Sequence, residues 1–87
     1  MNITAIKKLA KEGKSPYFFS PDTMKFFKSK VYQDVRKTKK GFVFITSEVF
    51  GDNPRHYAVR FIRLDGSIDT IIKFNDLKDA KEFLNFY

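Results

Sequence analysis

The sequence lacks cysteine and tryptophan, and it has a single histidine among its 87 residues. Without cysteine the chain can form neither a disulfide nor a thiolate metal site, which fits a reducing compartment. No apolar run approaches the roughly 20 residues that a membrane helix needs, and the amino-terminal segment is too charged for a signal peptide. These absences predict a soluble protein with no membrane partner.

The residues that could carry catalysis are also few. The four glycines are scattered singly and form no phosphate-binding loop, and no Gly-x-Ser-x-Gly turn presents a serine for His56 to activate. His56 follows Asp52 closely, so a divalent metal ion bound by both side chains is an alternative role for His56. Structural zinc sites, however, take several ligands rich in Cys and His. We therefore expect no enzyme activity, no cofactor and no metal site.

Hydrophobic residues make up 43% of the chain and include eleven phenylalanines. This content can fill a dense core without disulfides or metals. A chain of this length has enough apolar surface for one folding unit, so we expect residues 1–87 to form a single domain.

Positive charge is concentrated in one segment. Of the net charge of +7, residues 25–40 hold +6, from seven Lys or Arg against Asp34. This concentration indicates contact with an anionic partner, either a phosphate backbone or an acidic protein surface. The alternative is a solvated segment that keeps a Phe-rich protein soluble. The predicted binding residues are Lys25, Lys28, Lys30, Arg36, Lys37, Lys39, Lys40, Arg60 and Lys73.

The first predicted helix is short and basic. Asn2 or Thr4 caps it, Gly13 ends it, and its apolar residues recur on one side. A basic amphipathic helix can lie on a membrane. At about two turns, however, this helix is expected to pack on a sheet.

The second predicted helix begins at Ser20-Pro21, a hydroxyl cap followed by proline, and runs to about Ser29. The aromatic run at residues 17–19 precedes it. These rings either fold back onto the helix as core or stay exposed, where they could stack on bases. The core interpretation is favoured, because the adjacent helix needs covering.

Four strands are predicted next, two of them at Val31–Arg36 and Phe42–Phe50, where both faces of the second strand look covered. The other two come from residues 55–74, where Asp65-Gly66 predicts a hairpin with a two-residue type I′ turn. Counting outward from that turn pairs Arg63 with Ile68, Phe61 with Thr70, Val59 with Ile72 and Tyr57 with Phe74.

This register gives the hairpin one core face and one solvated face. The core face is predicted to hold Tyr57, Val59, Phe61, Ile72 and Phe74. The solvated face is predicted to hold His56, Arg60, Asp69 and Lys73, with Ile62 and Ile71 among them.

A last helix, capped by Asn75 or Asp76, completes the chain. The expected fold class is α+β with two layers: two helices, a four-stranded antiparallel meander and a C-terminal helix, with the helices on one face of the sheet.

Lys40–Ser47 resembles the octamer of RNA-recognition-motif domains, in which alternating aromatics on a central strand stack on bases. Val43 and Ser47 depart from that pattern. The family also places helices between its strands, where the predicted order here has none, so we interpret the match as coincidental.

A broader resemblance spans residues 17–84. The blocks Phe18–Phe27, Ile45–Phe50 and Pro54–Arg60 are similar to a family of small proteins of unknown function encoded by bacteriophages and mobile elements. The resemblance implies an accessory factor, such as an inhibitor of host defence nucleases in the manner of anti-CRISPR proteins. It implies no catalytic residues.

Together these features predict a non-enzymatic, phage-type binding protein that acts in the cytoplasm of the host bacterium. Through its basic surface it would inhibit a host nucleic-acid-handling defence complex, so its partner would be a nuclease or a ribonucleoprotein. The alternative is a sequence-tolerant protein that binds DNA or RNA directly. A homo-oligomer that uses exposed Ile62 and Ile71 stays open.

Overall fold

The computed structural model describes residues 3–87 and has the α+β class and the element order that the sequence predicts. Its elements are α1 (Ile3–Glu12), α2 (Pro21–Phe26), β1 (Lys30–Lys37), β2 (Gly41–Glu48), β3 (His56–Arg63), β4 (Ile68–Phe74) and α3 (Leu77–Leu84). The strands form one antiparallel sheet in the order β1-β2-β3-β4, which confirms the predicted meander.

Two helices begin at the predicted caps. The Ser20 hydroxyl accepts a hydrogen bond from the Thr23 amide at 3.3 Å, and the Asp76 carboxylate accepts one from the Lys78 amide at 2.8 Å. Each cap satisfies an amide that has no partner within its own helix and contributes about 1 kcal/mol.

Helix α1 packs on the sheet, as predicted. It buries Ile3, Ile6 and Ala10, and its lysines point to solvent. Full burial of each isoleucine stabilises the fold by about 1.5–3 kcal/mol. Of its two predicted caps, Asn2 lies outside the described residues and Thr4 lies within the helix rather than before it.

Strand β2 lies at the centre of the packing, with all its residues buried. Phe42 and Phe44 pack with α1 on one face of the sheet, and Val43 and Ile45 pack with α3 on the other. We call these faces the α1 face and the α3 face. The sheet therefore differs from the predicted two-layer packing: helices cover both faces, because β2 carries apolar side chains on both.

The turn between β3 and β4 has three residues rather than the predicted two. The Arg63 amide donates to the Ser67 carbonyl and the Gly66 amide donates to the Arg63 carbonyl, both at 2.9 Å. Gly66 takes a φ of +88°, as the last residue of such a loop requires. The Asp65 carboxylate accepts hydrogen bonds from the amide and the hydroxyl of Ser67 and so holds this conformation. The predicted type I′ turn is therefore wrong.

The extra loop residue shifts the nearby pairs by one position. Arg60 pairs with Thr70 and Ile62 pairs with Ile68. A bulge that follows Val59 absorbs the shift. Beyond it the pairs are those predicted, Val59 with Ile72 and Tyr57 with Phe74.

The predicted solvated face of the hairpin is covered along β3, because that strand's side of it belongs to the α1 face, whereas Asp69, Ile71 and Lys73 on β4 are exposed as predicted. Ile62 is fully buried there, and the Arg60 side chain is only 13% exposed. Phe42 and Phe44 are 5% and 0% exposed on the same face. These rings, which resemble the stacking aromatics of RNA-recognition motifs, therefore have no surface to offer a base.

Candidate functional site

Six of the nine predicted binding residues form an exposed series along the edge of the sheet. They lie on α2, just after it, on edge strand β1, and in the turn between β1 and β2. Among the described residues, none of the six lies within 4.0 Å of a carboxylate oxygen. We call them the basic strip: Lys25, Lys28, Lys30, Lys37, Lys39 and Lys40.

The end of α2 sets the position of Lys28. The Ser29 amide donates to the Met24 carbonyl at 2.8 Å and the Lys28 amide donates to the Lys25 carbonyl at 3.2 Å, which is the Schellman pattern. Lys28 occupies the place that glycine usually takes, with a φ of +49°. Its carbonyl accepts a hydrogen bond from Arg55 Nη2 at 2.7 Å, which helps to hold this unfavourable conformation.

The turn between β1 and β2 is held by Thr38, and it presents Lys39 and Lys40 to solvent. The Thr38 amide donates to the Gly41 carbonyl at 2.8 Å, and its hydroxyl accepts from the Lys40 amide at 3.3 Å. Gly41 is required because a Cβ there would collide with the Ile62 carbonyl of β3. A fixed backbone thus carries two flexible cations.

The basic strip falls into two groups. Lys25, Lys28 and Lys30 lie where β1 begins, and the other three lie where it ends. Lys30 and Lys37 are at most about 23 Å apart, at roughly 3.3 Å per residue along a strand. A standard protein interface of about 800 Å² per partner is roughly 30 Å across, which spans this distance. The register pairs Lys30 with Ser47 and Lys37 with Phe42, on opposite faces of the sheet, so a partner that contacts both groups lies over the outer edge of β1.

The other three predicted residues lie apart from the strip. Arg36 is half-buried, and its Nη2 donates to Asn85 Oδ1 after α3 at 2.9 Å. Lys73 lies on β4, with its Nζ 5.7 Å from the centre of the Phe50 ring. Arg60 lies in the α1 face, where its guanidinium is already bonded.

A buried polar cluster surrounds Arg60; it consists of Thr46, Glu48, His56 and Arg60. Glu48 is 6% exposed. Its Oε1 accepts hydrogen bonds from Thr46 Oγ1 at 2.7 Å and from Arg60 Nη2 at 3.1 Å. Arg60 also donates to the hydroxyls of Thr46 and Thr70. One carboxylate and one guanidinium therefore neutralise each other beneath the Phe18 ring, whose centre lies 5.5 Å from the guanidinium carbon of Arg60.

His56 faces the second oxygen of Glu48. Its Nε2 lies 3.3 Å from Glu48 Oε2, both atoms are buried, and within residues 3–87 neither makes an aligned hydrogen bond. The imidazole stacks on Phe50, with ring centres 4.6 Å apart. Burial lowers the pKa of His56 below 6.5, against the opposing effect of Glu48 and with a further lowering by Lys73.

A cavity of about 80 Å³ adjoins this cluster, lined by Glu48 and Thr46 together with Phe18, Phe19 and Met24 among others. At about 30 Å³ per molecule, it has room for roughly two water molecules that could hydrogen-bond the carboxylate.

Sequence reasoning gave Glu48 no role and matched His56 with Asp52 instead. The available signal was strand pairing: Glu48 ends β2, His56 begins β3, and the antiparallel register sets them directly opposite. No three of the described His, Asp and Glu side chains are grouped as a metal site would require. Within residues 3–87, no helix has the length and apolar character to span a membrane.

Comparison with curated proteins and with solved structures gives no match. A protein-family model does match, over residues 2–85, and thus covers almost the whole chain. The chain belongs to this family, which is described as a family of unknown function (DUF7447).

Proposed function

We propose that the protein is a non-enzymatic binding protein that contacts an anionic partner through the basic strip. The observation that carries the proposal is the unpaired state of those six lysines: all are exposed, and within residues 3–87 no carboxylate oxygen lies within 4.0 Å of them. Like charges in one region repel each other, and an anionic partner relieves that repulsion.

The edge position of the strip also suits a partner of some size. Within residues 3–87, strand β1 pairs with β2 alone, so no further strand lies along its outer side. The pairing of β1 is irregular between Val31 and Val35, which, together with its lysines, discourages the addition of another strand. The partner is therefore expected to contact lysine side chains rather than the backbone of β1.

The target class we propose is a host nucleic-acid-handling defence complex, which the protein would inhibit as anti-CRISPR proteins do. The support for this class is the resemblance to small phage-encoded proteins together with the basic strip. The protein would cover an acidic surface of the nuclease or compete with its bound nucleic acid.

The test is pull-down of candidate effector complexes together with their cleavage assay. Wild type is expected to bind and to inhibit, and a Lys37→Ala/Lys39→Ala/Lys40→Ala triple variant is expected to lose both. A matched control removes three lysines elsewhere, at positions 14, 78 and 81, for the same net charge. Full cleavage at saturating wild-type protein across the effector panel would refute this target class.

The second candidate is direct, sequence-tolerant binding of DNA or RNA, and one observation favours it. Phe26 lies between Lys25 and Lys28 in the sequence, and its ring is 78% exposed. An exposed ring next to cations can stack on an unpaired base. Binding of labelled single-stranded DNA, duplex DNA and RNA at low and physiological salt tests this candidate.

Nucleic-acid binding must weaken steeply as salt rises, because each phosphate contact releases counterions. For duplex DNA, loss of three contacts in the triple variant should reduce the slope of log K against log salt by about 2.7. An unchanged slope of log K against log salt would show that these lysines of the basic strip do not contact the nucleic acid.

A further inference from the structure

A basic groove lies between α1 and the segment that follows it. It has a volume of about 750 Å³, within the usual range for ligand sites. One wall is the lysine side of α1 and the other is the segment at residues 16–21. The groove is lined mainly by Lys7, Lys8, Lys11, Tyr17, Phe19 and Pro21.

The lysines of this groove share one side of α1 because of helical spacing. Lys7 and Lys11 are four residues apart, and Lys8 and Lys11 are three apart, so their side chains are neighbours. The opposite side of the helix is buried against the sheet through Ile3, Ile6 and Ala10. The three lysines are exposed, and within the described chain none lies within 4.0 Å of a carboxylate oxygen. Glu12 is the single acid of the lining, so the groove is positively charged.

Tyr17 supplies an exposed aromatic ring beside these cations. Its neighbours Phe18 and Phe19 fold back into the core on the α1 face, where Phe19 lies 6.1 Å from Phe44 between ring centres. Tyr17 instead remains 77% exposed. Of the aromatic run, two rings therefore serve as core and one is left free to stack on a ligand.

We propose that this groove binds a single-stranded nucleic-acid segment, with a base stacked on Tyr17 and with Lys7, Lys8 and Lys11 on the phosphates. Cations along a groove with an exposed aromatic are the combination that holds unpaired strands. A duplex offers no free base face for such a ring. A membrane would need the apolar side of α1, which the sheet already covers.

The site is separate from the basic strip, so either can fail alone. The chain has no tryptophan, so a Tyr17→Trp variant places one fluorophore in the groove. Titration with an oligothymidine is expected to quench its emission, because the base stacks on the indole. The matched control is Phe86→Trp, which places the fluorophore at an 88% exposed position after α3 and is expected to show no quenching.

Charge variants in the Tyr17→Trp background complete the test. Lys7→Gln/Lys8→Gln/Lys11→Gln should reduce the slope of log K against log salt by about 2, at about 0.7 per phosphate contact on a single strand. Lys37→Ala/Lys39→Ala/Lys40→Ala should leave the quenching unchanged. Circular dichroism confirms that each variant is folded.

Three results would overturn the proposal. The first is equal quenching of the Phe86→Trp control. The second is quenching that disappears in the strip variant but not in the groove variant. The third is binding of polyglutamate with an affinity that equals or exceeds that of the oligonucleotide, which would assign the groove to an acidic peptide.

Discussion

Replacing Glu48 by alanine should destabilise the fold severely. Glu48 is 6% exposed and accepts hydrogen bonds from Arg60 and Thr46. Its removal leaves the Arg60 guanidinium, which is 13% exposed, without a carboxylate. Breaking a buried ion pair in this way costs about 3–5 kcal/mol. A domain of this length has a free energy of unfolding of about 4–13 kcal/mol, at roughly 0.05–0.15 kcal/mol per residue, so the loss is a large fraction of the total.

Urea unfolding followed by circular dichroism measures this loss. With a slope of about 1–3 kcal/mol per molar urea, the unfolding midpoint should fall by at least about 1 M. Glu82→Ala, which removes an exposed carboxylate, is the control and should change stability by less than about 0.5 kcal/mol.

A double variant distinguishes the effect of breaking the ion pair from the effect of the cavity that the truncation of Glu48 leaves. Replacing Glu48 and Arg60 together by leucine and methionine should recover much of the loss, since an apolar pair carries no buried charge. The reasoning would be refuted if Glu48→Ala cost less than about 1 kcal/mol, because Arg60 would then reach water without its partner.

Three further predictions follow from the backbone and from His56. Lys28→Gly should stabilise the fold by about 1 kcal/mol, because glycine adopts the φ of +49° without a steric penalty; a lowered melting temperature would contradict this. Gly13→Ala should lower the free energy of unfolding in urea by about 1–3 kcal/mol, because a Cβ there would collide with the Asp65 carbonyl and with Gly66 Cα. An unchanged unfolding midpoint would contradict this, because the β3–β4 turn would then have room for the added methyl group. The free energy of unfolding should decrease as pH falls below 6.5, because the pKa of His56 is lowered in the folded protein and the unfolded chain therefore binds the proton first. His56→Gln should remove this contribution to the pH dependence of stability between pH 7 and pH 5.

The fold was largely predictable because its signals are local. Ser20 and Asp76 cap helices whatever lies around them, and alternation in β2 marked a strand with two covered faces. The turn was not predictable to the residue, since Asp65-Gly66 suits two-residue and three-residue loops alike. The Asp65 carboxylate favours the longer loop, because it accepts hydrogen bonds from both the amide and the hydroxyl of Ser67.

The candidate site was likewise predictable from the sequence only in part. Lysines stay in solvent in almost any fold, so the exposure of the basic strip follows from composition. The burial of Arg60 does not, because it depends on Glu48, twelve residues earlier and on another strand. The aromatic run is predicted to be core, which is confirmed for Phe18 and Phe19 and wrong for Tyr17, and only the packing shows which ring is exposed.

The anion-binding role of the basic strip is tested most directly by salt elution from immobilised heparin, a polyanion that makes no assumption about the partner. Two variants of equal net charge are compared with wild type: Lys37→Ala/Lys39→Ala/Lys40→Ala, which removes half of the basic strip, and the control that replaces Lys14, Lys78 and Lys81 by alanine. If the basic strip is the anion-binding surface, the strip variant elutes at clearly lower salt than the control. Elution of both variants at the same salt would contradict the claim, because net charge alone would then explain the binding.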